Sequence, residues 1–126
     1  WYLKKIGSIS IKRNKVTKDN LGFFNDINKL IFNSERPLII FPQGTRVKPE
    51  ERPLFKKGVG RIYDELKILC QPVAINSGYV WPKKGLKKFN KKITISILPP
   101  LNYNLDKIVF VKKLEQIIYS ELDRID

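Results

Sequence analysis

The sequence contains no His, no Met and a single Cys. Without His or a second Cys, a zinc site built on nitrogen and sulfur ligands and a Cys/His nucleophile are both without support, so no metal and no catalytic residue is assigned. One thiol cannot form an internal disulfide and fits a reducing compartment. Cys70 stands between Lys67-Ile68-Leu69 and an apolar strand, and reads as a small buried hydrophobe. No apolar run approaches the about 18 residues that a membrane-spanning helix needs. Acidic residues are scarce, 12 Asp plus Glu against 25 Lys plus Arg, for a net charge of +13. That excess implies an anionic partner: nucleic acid, a phospholipid surface or a phosphorylated small molecule. From residue 105 onward four basic residues face five acidic ones, so the excess lies earlier, with six Lys and no acid in 83–92.

What is present is enough for one globular domain: 126 residues, 42% hydrophobic and 11% aromatic. The chain opens at Trp1 inside an apolar phrase and has no initiating Met, which leads us to expect a C-terminal part of a single domain, residues 1–126, with its N-terminal part missing. Ile6 to Lys12 alternates in strand fashion and meets Arg13. A helix is expected from Asp19 or Asn20 to about Asn33, with Leu21, Phe24, Ile27, Leu30 and Ile31 on one face, stopped by Glu35-Arg36-Pro37. Leu38 to Phe41 reads as a central buried strand running into Pro42-Gln43-Gly44-Thr45-Arg46. The charged loop 43–57 is long, and such loops are functional or mobile.

Gly58 to Leu69 reads as a helix with Ile62, Leu66 and Leu69 inward, weakened by Gly60. Pro72 to Ile75 and Ile93 to Ile97 read as strands, the second alternating cleanly. Pro82 and Gly85 argue against a helix in 79–92. From Asp106 to Ile125 the spacing predicts a helix with Ile108, Val111, Leu114, Ile118, Leu122 and Ile125 inward. The fold class expected is α/β, with a central mostly parallel or mixed sheet flanked by helices.

Three expected strands end in polar turns: Arg13, then Gln43-Gly44-Thr45-Arg46, then Asn76-Ser77-Gly78. In parallel neighbours joined by right-handed crossovers these ends gather on one sheet edge, where ligands bind. Two guanidinium groups there suit a phosphate dianion, Gly44 admits close backbone approach and Thr45 adds a hydroxyl. Strand-end Arg residues are also commonly solvated or paired with carboxylates, and the residues alone leave both readings open.

Phe41-Pro42-Gln43-Gly44-Thr45-Arg46 resembles the F-P-E-G-T-R motif of the glycerolipid acyltransferases. Gly7-Ser8-Ile9-Ser10-Ile11-Lys12-Arg13 is similar to their preceding Gly-to-Arg block, and Pro72-Val73-Ala74-Ile75 to their fourth block. The resemblance implies acyl transfer from acyl-CoA or acyl carrier protein, as co-substrate and without a cofactor, to the free hydroxyl of a lysophospholipid such as 1-acyl-glycerol-3-phosphate. It implies that Arg13, Gln43, Gly44, Thr45 and Arg46 hold the acceptor phosphate, and that Pro72 and Val73 belong to the acyl-donor side. The family's His-x-x-x-x-Asp block, whose His removes the hydroxyl proton, is not in this chain and is expected upstream. Gln43 departs from the motif's Glu: it keeps a hydrogen-bonding side chain and loses the charge.

The expected setting is membrane-associated, at the cytoplasmic face, with a lysophospholipid, an acyl thioester and the membrane surface as partners and no nucleic acid. The lysine run can attract anionic lipid, with Trp81 and Phe89 at the interface, or simply be a solvated loop. The alternative is a non-catalytic basic module that binds anionic lipid or nucleic acid.

Overall fold

The computed structural model describes Lys5 and residues 20–34, 36–82, 84–88 and 90–126. The expected strand 6–12, Arg13 and Phe89 lie outside these residues. Two compact units divide the chain at Ile39 and Ile40.

In the first unit, α1 (Asn20–Ser34) forms where the spacing predicts it. Among its described side chains Ile27 is buried, Phe24 and Ile31 are half-buried, and the expected Leu30 is exposed. The Leu21 side chain lies outside the described residues. Phe23 and Phe24 meet edge to face at 5.5 Å. The helix stops ahead of Arg36-Pro37, as the restriction on residues before Pro requires.

The second unit holds α2 (Lys57–Leu66), β1 (Val73–Ile75), a 3-10 turn (Ser77–Tyr79), β2 (Ile95–Ile97) and α3 (Lys107–Ile125). The two strands pair antiparallel, Val73 with Ile97 and Ile75 with Ile95. They form the sheet seen among the described residues, and a central parallel sheet is not seen there. Ala74 points to α3 and is fully buried, while Val73 and Ile75 face outward.

The expected strand at 38–41 is not a strand. A strand needs a neighbour to take its backbone donors and acceptors, and no described strand pairs with this run. Ile39 and Phe41 are exposed, and Ile40 packs against the core.

α2 is shorter than expected, because Lys67 turns left-handed at φ 49° and donates its N–H to the Tyr63 carbonyl, closing the helix. The buried face is Val59, Gly60, Tyr63 and Leu66; the expected Ile62 is half-buried and Leu69, beyond the helix, is exposed. α3 begins at Asp106, whose carboxylate accepts from the N–H groups of Ile108 and Val109 at 2.8 and 3.3 Å. Its buried residues are Phe110, Leu114 and Ile118, whereas the expected Ile108 is exposed.

Phe110 stacks on Tyr63 with centroids 3.6 Å apart, and the Tyr63 hydroxyl donates to the Asn102 carbonyl while accepting from Leu105 N–H at 3.1 Å. Gly60 makes this close approach possible: a Cβ there would stand 2.8 Å from Val111 Cγ2 and 2.9 Å from the Lys107 carbonyl oxygen. Cys70 exchanges backbone hydrogen bonds with Leu101 and is half-buried, and burial pushes its thiol up.

Candidate functional site

The stretch Phe41–Gly44 closes a β-turn in which Gly44 N–H donates to the Phe41 carbonyl at 3.0 Å. Pro42 and Gly44 occupy the second and fourth places that favour them. Gly44 sits at φ 71°, and a Cβ there would come within 3.1 Å of the Lys56 side chain, so both conformation and space call for glycine.

The loop expected over 43–57 to be functional or mobile ends where α2 begins at Lys57, and it is tied to its own first turn and to α3. Lys56 N–H donates to the Pro42 carbonyl at 2.8 Å, and Phe55 N–H donates to the Glu115 carboxylate at 2.6 Å. The Tyr119 hydroxyl donates to the Pro53 carbonyl and accepts from the Gln43 amide at 3.4 Å, while its ring meets Phe55 edge to face. Burial pushes the Tyr119 phenol up, with the Gln43 hydrogen bond opposing. A carboxylate at position 43 could only accept from this hydroxyl, which already donates to the Pro53 carbonyl, so Gln43 makes a contact that Glu would not make in this arrangement.

Arg52 ties the loop to the end of α3. It bonds Asp123 at 2.7 Å, Asp126 at 3.3 Å and the Pro49 carbonyl. Burial weakens its charge, but the Asp123 and Asp126 carboxylates outweigh that and hold the guanidinium above its ordinary value.

The loop and the turn after β1 face one cavity of about 490 Å³, within the usual size for small-molecule sites. Gln43 to Arg52, except Glu50, form one side, and Ile75 to Tyr79 with Trp81 form another. Leu122 of α3 and Asp126 just past its end close it, and Phe41 completes the lining. Gly78 lets these walls meet, since a Cβ there would reach Pro49 Cγ at 3.1 Å. Asn76 braces the second wall: its amide donates to the Ile125 carbonyl at 3.2 Å and accepts from Thr94 N–H at 2.7 Å.

Gln43-Gly44-Thr45-Arg46 and Asn76-Ser77-Gly78 line one cavity, but the parallel sheet edge on which they were expected to gather is not seen among the described residues, and the first turn does not follow a strand. Arg13 lies outside the described residues. Pro72 is buried and Val73 sits on the outer face of β1, and neither lines the cavity. The sequence reading missed Arg52, Tyr79, Tyr119 and Asp126, which come together only through tertiary contacts. Of the two guanidinium groups at the cavity, Arg52 is paired, whereas Arg46 is exposed and makes no ion pair among the described residues. No group of residues suited to hold a metal ion is found among the described residues.

The family profile described as Acyltransferase matches residues 1–76, a span that includes the glycine turn and Arg46. The chain belongs to the acyltransferase family. It is 30% identical over 91 residues to 1-acyl-sn-glycerol-3-phosphate acyltransferase of Helicobacter pylori, covering 71% of this chain and 38% of that protein. It is 31% identical over 65 residues to the protein of the same name from Pseudomonas aeruginosa, covering 52% of this chain and 25% of that one. The chain thus spans well under half the length of these curated relatives. No solved structure matches it.

Proposed function

We propose that this chain supplies the acceptor-binding side of an enzyme that acylates a lysophospholipid, with 1-acyl-sn-glycerol-3-phosphate as acceptor. The acceptor's free hydroxyl attacks the carbonyl of an acyl thioester, the new ester bond forms, and the thiol of CoA or acyl carrier protein leaves with the hydroxyl's proton. The observation that carries the reading is Arg46, a guanidinium at the cavity with no ion pair among the described residues, on a glycine turn. Its fork of donors suits a phosphate, and Gly44 and Thr45 lie beside it. In this reading Arg13 adds a second charge, Pro72 and Val73 serve the donor side, and the enzyme works at the cytoplasmic face of a membrane. The chain has no His, so the proton-abstracting group of the family pattern is not among its residues.

Arg46→Ala in the intact enzyme tests the assignment. A charge-assisted hydrogen bond contributes about 1.5–3 kcal/mol, so KM for the acceptor should rise roughly 10- to 100-fold with kcat largely kept, and Arg46→Lys should recover part of the loss. An unchanged KM for Arg46→Ala removes this residue from the phosphate role.

A further inference from the structure

Residues 66–105 contain seven Lys and neither Asp nor Glu, so the local charge is wholly positive. Lys88 N–H donates to the Val80 carbonyl at 2.8 Å, which closes the base of a loop, and Gly85 reverses the chain at φ 98°. Lys84, Lys87, Lys88, Lys91 and Lys92 are exposed. Among these lysines Leu86 is 91% exposed, more than any other large apolar side chain described, and Trp81 is 58% exposed. Lys87 Nζ lies 4.1 Å from the Trp81 ring centroid, so a cation covers one face of the indole. Trp81 also lines the cavity.

We infer that the loop 81–92 docks the cavity mouth onto a bilayer rich in anionic phospholipid, with Leu86 entering the acyl region and the surrounding lysines held at the headgroups. A strongly exposed leucine flanked along the chain by exposed lysines suits an interface that is apolar on one side and anionic on the other. Single-stranded nucleic acid is the poorer fit: it stacks bases on open aromatic faces, whereas Trp81 carries Lys87 on its ring and Leu86 offers no stacking plane. The inference deepens the membrane location proposed above and rests on it. It needs neither acceptor nor thioester.

The test is co-sedimentation of the intact protein with vesicles of phosphatidylcholine alone and of an equal mixture with phosphatidylglycerol, lacking lysolipid and acyl donor. The parent should partition into the anionic vesicles far more strongly. Each lysine near such a surface contributes about fivefold, so Lys84→Ala/Lys88→Ala should lower partitioning roughly 25-fold. Leu86→Gln should lower it several-fold while leaving the weak binding of a single-stranded oligonucleotide unchanged. All three side chains are exposed, and unchanged circular dichroism confirms that the variants fold. Anionic-vesicle binding that both variants leave intact overturns the loop assignment while keeping the membrane location. No binding to either vesicle overturns both, and oligonucleotide binding stronger than vesicle binding replaces the lipid with nucleic acid.

Discussion

Gly60→Ala places a methyl group where α2 and α3 touch, and the structure fixes the sign of its effect. The new Cβ would meet Val111 Cγ2 at 2.8 Å and the Lys107 carbonyl oxygen at 2.9 Å, whereas carbon atoms prefer about 3.5–4.0 Å. The helices must therefore part locally by several tenths of an ångström, and overpacking of this kind costs about 1–3 kcal/mol. Against it stands the better helix propensity of Ala, at most about 1 kcal/mol. The net expectation is a loss of about 1–2 kcal/mol, which in a domain of this size lowers Tm by roughly 4–8 °C. Gly58 is the internal control, because it lies on the same helix with nothing within 4 Å of its added Cβ. Gly58→Ala should leave stability unchanged or raise it by a few tenths of a kcal/mol. Val111→Ala in the Gly60→Ala background removes one clash and leaves the backbone carbonyl, so it should recover part of the loss. Thermal melts followed by circular dichroism measure all three. Gly60→Ala melting at or above Gly58→Ala would refute the close approach of the two helices.

Tyr119→Phe should cost about 1–2 kcal/mol by stranding the Pro53 carbonyl and the Gln43 amide; urea titration gives the stability, and the acceptor KM should rise while kcat holds. Asp106→Ala removes the cap of α3 and should cost about 1 kcal/mol in the same titration, with Asp106→Ser or Asn recovering most of it. Glu121 is forked by Arg124 and accepts from the Ser96 hydroxyl, in that order of effect, and its carboxyl lies at about 2 against an ordinary 4.5. A depressed folded-state value stabilises above the ordinary one and is lost as pH falls. Stability should therefore decline as pH drops from about 4.5 toward 2, and Glu121→Gln should flatten that slope in melts across the range.

Helix positions were legible because apolar spacing and stop signals act within a few residues, as Ile27 and Arg36-Pro37 show for α1. The phase of α3 was less so. Leu114 and Ile118 fit the expected stripe, but Phe110 takes the place assigned to Ile108 because it stacks on Tyr63 of another helix. Gly60 read as a weak point in a helix and is the point of contact between two. The run 38–41 read as a strand because a continuous apolar stretch carries no information about its neighbours. At the site, the glycine turn, Arg46 and Asn76-Ser77-Gly78 were visible as turn chemistry. The bonds that hold them, Gln43 to Tyr119 and Arg52 to Asp123, span more than 70 residues and leave no local trace.

The last turn of a helix is ordinarily the part a protein can most readily lose, since its carbonyls lack partners and its residues fray. In α3 that turn is cross-linked from the cavity side. The Ile125 carbonyl accepts from Asn76, Asp123 and Asp126 hold Arg52, and Tyr79 reaches Asp126 at 3.4 Å. Removing residues 123–126 would leave Phe110, Leu114 and Ile118 in place and take away what anchors both walls of the cavity. Deletion scanning from this end should thus separate folding from binding, with ligand affinity failing several residues before the core does.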